Sequence, residues 1–187
     1  NKVWVGSVEG GLNILSRGSD RFTHLTKEHG GLSHNSVSAL AADNKNRLWA
    51  ATWGGSINLL DLKYPGRVLK VISTKTTPGF NVDFVGALSY DPINKGIWIG
   101  ANPGLYFYSL EQEKLTMPFS DKESNNIHGC IGSIIDRTGK LWIGCLEGVY
   151  IVDLHSRSKL GTFRYQHLLY KLDNPASKLI EKVTCFC

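Results

Sequence analysis

Short apolar runs with strand-like alternation return along the whole chain, separated by glycine turns and Asx-rich turns. One position anchors the count. A tryptophan follows an aliphatic residue in Val3-Trp4-Val5-Gly6, Leu48-Trp49-Ala50-Ala51, Ile97-Trp98-Ile99-Gly100 and Leu141-Trp142-Ile143-Gly144, at intervals of 45, 49 and 44 residues. Four of the five tryptophans sit at this position, which chance does not arrange. After each anchor come a glycine and a second alternating run: Leu12-Asn13-Ile14, Ile57-Asn58-Leu59, Leu105-Tyr106-Phe107-Tyr108 and Val149-Tyr150-Ile151-Val152. Before three of the anchors lies an apolar run closed by Asp43, Asp91 or Asp136 and a tight turn. A fourth, weaker run completes each unit, at residues 22–25, 68–72, 115–119 and 162–165.

The pattern therefore predicts four short antiparallel strands, A to D, every 45 or so residues, with Trp on strand B. That is the signature of β-propeller blades, and no helical period competes with it. The fold expected is all-β, a propeller of four-stranded antiparallel blades. The one helical turn expected lies at residues 176–182, after Pro175.

Composition changes this picture little. The chain has 187 residues, of which 42% are hydrophobic, enough for a core. Its 20 glycines exceed ordinary usage and fit a turn-rich fold. The net charge is +5, but the cations are scattered singly, as at Lys45, Arg47, Arg137 and Lys140. Scattered charge reads as a solvated surface, so no nucleic-acid contact is expected. No apolar run approaches the ~20 residues a membrane-spanning helix needs. Cys130, Cys145, Cys185 and Cys187 form no C-x-x-C pair and are expected as buried free thiols.

The same residues carry a resemblance. A strand ending in Asp, then [LI]-W-[IV]-G, then a glycine turn is similar to the two-component regulator propeller repeat. Gly31-Leu32-Ser33-His34-Asn35-Ser36-Val37 resembles that family's lead-in to strand A, and Leu172-Asp173-Asn174-Pro175 is also similar to its periplasmic sensors. Ala50-Ala51, Cys145, Pro103 and Glu147 depart from the usual motif, at positions that affect packing. The resemblance implies the extracytoplasmic sensor region of a hybrid histidine kinase, whose ligands are oligosaccharides and whose kinase lies outside this chain.

Strand counting gives a partial blade at 2–28, blades at 35–73, 83–119 and 129–166, and a lone first strand at 183–187. Two readings follow. The 187 residues are a piece of a larger ring, seven blades in the resembled sensors, or the last strand closes four blades by joining the first. The larger ring is preferred, and its neighbouring blades or domains would be partners within one protein. Association as a homodimer is left open.

No catalytic signature is present. Asp43, Asp91 and Asp136 recur once per blade and so read as turn formers. No H-x-H, H-E-x-x-H, G-x-S-x-G or phosphate-cradling glycine loop occurs, and no metal or cofactor is expected. Trp4, Trp49, Trp98 and Trp142 read as repeat anchors that fill the space between blades. Trp53 differs, standing off the anchor position in the turn Thr52-Trp53-Gly54-Gly55. Alternating strands put the B–C turns and the longer D–A connections at one end. That end collects Trp53, His34, Asn35, Asn81, Asp83, Asn102, Asn126, His128 and Glu147, groups suited to hydroxyl-rich ligands. A propeller enzyme acting on polysaccharide and a protein–protein scaffold are the competing readings.

Overall fold

The computed structural model describes residues 2–119 and 127–169, which form an all-β fold apart from a 3₁₀ turn at Leu154–Ser156. The expected helical turn at 176–182 and the lone strand at 183–187 lie outside the described residues. The chain divides into two compact units, residues 1–85 and 86–187.

The first unit holds two sheets. Strands β1 (Lys2–Gly6), β2 (Leu12–Ser16) and β3 (Phe22–Leu25) form a three-stranded antiparallel meander. Strands β4 (Val37–Ala42), β5 (Arg47–Thr52), β6 (Ser56–Asp61) and β7 (Val68–Ile72) form a four-stranded one. The next sheet repeats the scheme with β8 (Phe84–Asp91), whose first two residues belong to the first unit and the rest to the second, β9 (Gly96–Asn102), β10 (Leu105–Ser109) and β11 (Lys114–Thr116). The last sheet among the described residues comprises β12 (Gly132–Ile135), β13 (Lys140–Cys145), β14 (Gly148–Asp153) and β15 (Arg164–Leu169). Each sheet follows chain order, as propeller blades do.

Two fourth strands differ from expectation. Pro118 lacks the amide that would extend β11, so the strand stops at Thr116 and Phe119 instead stacks on Tyr165 at 4.0 Å. Residues 158–162 form a closed loop, with Ser158 N donating to Thr162 O at 2.8 Å, and β15 starts only at Arg164.

Middle strands are buried, and of the outer strands β8 is buried too while β1, β3 and β7 are more open. In β5 and β9 nearly every residue is buried, whereas β3 and β7 each have only one buried residue, Leu25 and Ile72. Leu12, Ile14, Leu25, Leu32, Val37, Leu48, Ala50 and Leu60 form a core cluster in the first unit. In the second, Trp98, Phe107, Leu141, Ile143, Tyr150, Val152 and Phe163 belong to a larger one. Trp98 meets Phe107 at 5.1 Å and Phe163 at 4.8 Å, so an aromatic side chain leading into the last sheet covers the anchor of the sheet before it.

The turn aspartates do more than close hairpins. In each complete sheet one carboxylate oxygen accepts turn amides and the other accepts the indole N–H of the anchor tryptophan. Asp43 Oδ1 accepts from Lys45 N at 2.8 Å, while Oδ2 accepts from Trp49 Nε1 at 2.9 Å. Asp91 Oδ1 accepts from Ile93 N and Asn94 N at 2.9 Å, and Oδ2 accepts from Trp98 Nε1 at 3.1 Å. Asp136 Oδ1 accepts from Thr138 N at 2.8 Å and Lys140 N at 3.0 Å, and Oδ2 accepts from Trp142 Nε1 at 2.8 Å. A buried indole N–H needs an acceptor, and the turn supplies it.

Candidate functional site

The residues expected at the B–C and D–A end fall into two groups, one in each unit. In the first unit the group is built around the β5–β6 turn. Gly54 and Gly55 have φ of +81° and +70°, and a Cβ on Gly55 would run into the Val82 carbonyl. Only glycine lets the turn sit on the β7–β8 connection. Trp53 rides on that turn, 45% exposed, with Phe84 edge-on at 6.4 Å. Its backbone N donates to Ser36 O at 3.0 Å, and Ser36 N in turn donates to His34 Nδ1 at 3.0 Å. Asn81 and Asp83 are exposed on either side of buried Val82.

Asn35 is committed to its own loop. Its Oδ1 accepts from Lys27 N at 2.7 Å and its Nδ2 donates to Glu28 Oε2 at 3.0 Å. That hydrogen bond, with backbone and Thr26 hydrogen bonds, holds the Glu28 carboxyl below its ordinary value. Behind it lies a polar knot that the sequence did not announce. Asn58 is fully buried, its Oδ1 accepting from Ser33 N at 3.0 Å and its Nδ2 donating to Ser33 Oγ at 2.8 Å, with Thr52 Oγ1 2.9 Å from the same hydroxyl. The Gly31–Val37 stretch is thus wired to the sheet that follows it.

In the second unit, Asn102 Oδ1 accepts from Gly129 N at 3.3 Å and Glu147 Oε2 accepts from His128 N at 3.3 Å. The segment is also tied by Gly104 N donating to Ile127 O at 2.7 Å and Leu146 N donating to His128 O at 3.1 Å. Asn126 lies outside the described residues. Cys130 and Cys145, expected as free thiols, are joined by a disulfide. The hairpin register carried the signal: Gly132 pairs with Gly144, which brings the two cysteines one step apart at the open end. Cys185 and Cys187 lie outside the described residues.

A cavity of about 380 Å3 opens at the opposite end of the last sheet, lined by Lys140, Ile151, Asp153, Arg164, Tyr165 and Gln166. Arg164 pairs with Asp153 at 3.1 Å, and Lys140, Asp153 and Arg164 form one row across three strands. A similar pairing, Arg47 opposite Asp61, occurs in the first unit, while Gly96 stands opposite Ser109 in the sheet between. Among the described residues no group of three or more His, Cys, Asp or Glu is placed to hold a metal, and no helix is long and apolar enough to cross a membrane.

Comparison with known proteins agrees with this architecture. The two component regulator propeller model matches residues 31–54, which run from the Asn35 loop through the β5–β6 turn. No curated protein matches the chain. Among solved structures, it is similar to the extracellular domain of the putative hybrid two component system BT4673 from B. thetaiotaomicron, at 18% identity and a TM-score of 0.73, over 98% of this chain and 23% of that one. The extracellular domain of the putative hybrid two component system BT3049 from the same organism matches at 18% identity and 0.69, over 89% of this chain and 21% of that one. PorZ, a surface component of the type-IX secretion system of Porphyromonas gingivalis, matches at 20% and 0.65, over 89% and 26%. The chain therefore spans about a quarter of the length of such structures or less. Repeat, strand order and fold likeness agree on a propeller fold, within which residues 31–54 match the two component regulator propeller model.

Proposed function

We propose that this chain is a non-catalytic, ligand-sensing propeller module in the extracytoplasmic part of a hybrid two-component signalling protein, and that its ligand is an oligosaccharide. The observation that carries the reading is Trp53. Its indole is 45% exposed on a glycine turn, backed by Phe84, and the turn is tied to Ser36 and seated on Val82, next in the chain to the exposed His34, Asn81 and Asp83. A sugar ring offers an apolar face for stacking and hydroxyls for hydrogen bonding, the two functions such a cluster supplies. The extracellular domains named above support the placement, as does a buried disulfide, which suits an oxidising compartment such as the periplasm. Ligand binding would act by favouring one packing of the module against its neighbours, with the kinase elsewhere in the protein.

Titration calorimetry of the sensor region against a panel of oligosaccharides tests the reading. Heat with at least one glycan, abolished by Trp53→Ala, is the expected outcome. Silence across the panel would overturn the ligand class, and turnover of a glycan would overturn the non-catalytic role.

A further inference from the structure

The second unit ties its D–A connection down differently from the first. In the first, the residue after β5 is held by Trp53 N donating to Ser36 O, and Thr52 stands at the strand's end. In the second, Leu146 after β13 makes the corresponding bond to His128 O, and Cys145 at the strand's end is covalently joined to Cys130. Both cysteines are buried. The residues on either side of Cys130 are also bonded: Gly129 N donates to Asn102 Oδ1, His128 N to Glu147 Oε2, and Ile131 N to Gly144 O. Buried Ile127 is held by the 2.7 Å bond from Gly104 N, but beyond it the two contacts made through Asn102 and Glu147 are long, at 3.3 Å each, and the disulfide is the covalent tie of residues 128–131 to the end of β13.

We propose that the Cys130–Cys145 disulfide is a redox-dependent clamp that seats segment 128–131 on the end of β13, so that His128, Gly129 and Glu147 are held in one arrangement only in the oxidised protein. Forming the bond removes two electrons and two protons from the paired thiols, taken up by a disulfide oxidant through exchange. A dithiol reductant reverses it, leaving two cysteine thiols and its own disulfide. The clamp rests on the binding role proposed above only for its consequence, and it is tested without ligand.

The experiment is hydrogen exchange with mass spectrometry on the full chain, oxidised, reduced with dithiothreitol, and as the Cys130→Ser/Cys145→Ser variant. Non-reducing peptide mapping should find Cys130 linked to Cys145. Reduction and the double substitution should each speed exchange at Gly129, Ile131 and Leu146 by about tenfold or more, leaving β9 and β10 unchanged. Free thiols at both positions in the unreduced protein would overturn the clamp, as would unchanged exchange after reduction. Loss of protection throughout β9 and β10 would also overturn it, since the bond would then staple the whole unit. Absence of saccharide binding with these results intact would defeat the sensing proposal alone.

Discussion

Trp98 Nε1 donates to Asp91 Oδ2 at 3.1 Å, and both residues are buried, Asp91 completely. The same carboxylate receives Asn94 Nδ2 at 2.9 Å on that oxygen and two turn amides on the other. Asp91→Ala would strand a buried indole N–H and open the turn, so a loss of about 3 kcal/mol is expected. Urea unfolding checks it. Asp136→Ala, at a more exposed turn, should cost less, and the reverse order would contradict the account.

Acid should weaken these locks. Burial raises the Asp43 carboxyl, but hydrogen bonds from Trp49, Arg47 and Lys45 and the Arg47 charge outweigh it and leave it below its ordinary value. Asp136 is held well below by Trp142, with the Lys140 and Thr138 amides and the Thr138 hydroxyl adding to it. A depressed folded-state pKa contributes stability that is complete above the unfolded value of 3.8 and is lost as pH falls from there through the folded value. The urea midpoint should therefore change little on account of these groups between pH about 7 and about 5, then drop below about 4. Asp43→Asn should lower stability at neutral pH and flatten part of the acid drop.

Gly54 and Gly55 make a matched pair. Both have positive φ, yet a Cβ at Gly54 meets open space while one at Gly55 meets the Val82 carbonyl. Gly54→Ala should cost about 1 kcal/mol from backbone strain alone, and Gly55→Ala distinctly more. Thermal melts of the two variants measure the difference, and equal costs would mean the turn does not seat on Val82.

Trp53→Ala should leave stability nearly unchanged, within about 1 kcal/mol in urea unfolding, because the residue is 45% exposed and stands outside the core. Trp98→Ala, in contrast, should cost about 4 kcal/mol. A large loss at Trp53 would recast it as a packing residue.

Asn58→Ala removes the acceptor of Ser33 N and the donor to Ser33 Oγ in a buried setting. A loss of about 2 kcal/mol is expected in urea unfolding, with the Gly31–Val37 stretch exchanging its amides faster.

The strands were legible because a tryptophan every 45 or so residues and the glycine behind it report local periodicity. What escaped depended on register and on side-chain reach. Asp43, Asp91 and Asp136 were visible as turn formers, but the bond to an indole six or seven residues later appears only once the hairpin closes. Cys130 and Cys145 looked unrelated until β12 and β13 paired. Among the nine loop residues proposed for binding, sequence could not separate Asn35, spent on its own loop, from Trp53, left open to solvent.

Because every complete sheet fastens its first turn with an aspartate and an indole from its own stretch of chain, duplicating that stretch duplicates the fastening too. Such a module can be copied or lost whole without redesigning its neighbours' hairpins, which leaves the connecting loops free to diverge in what they recognise.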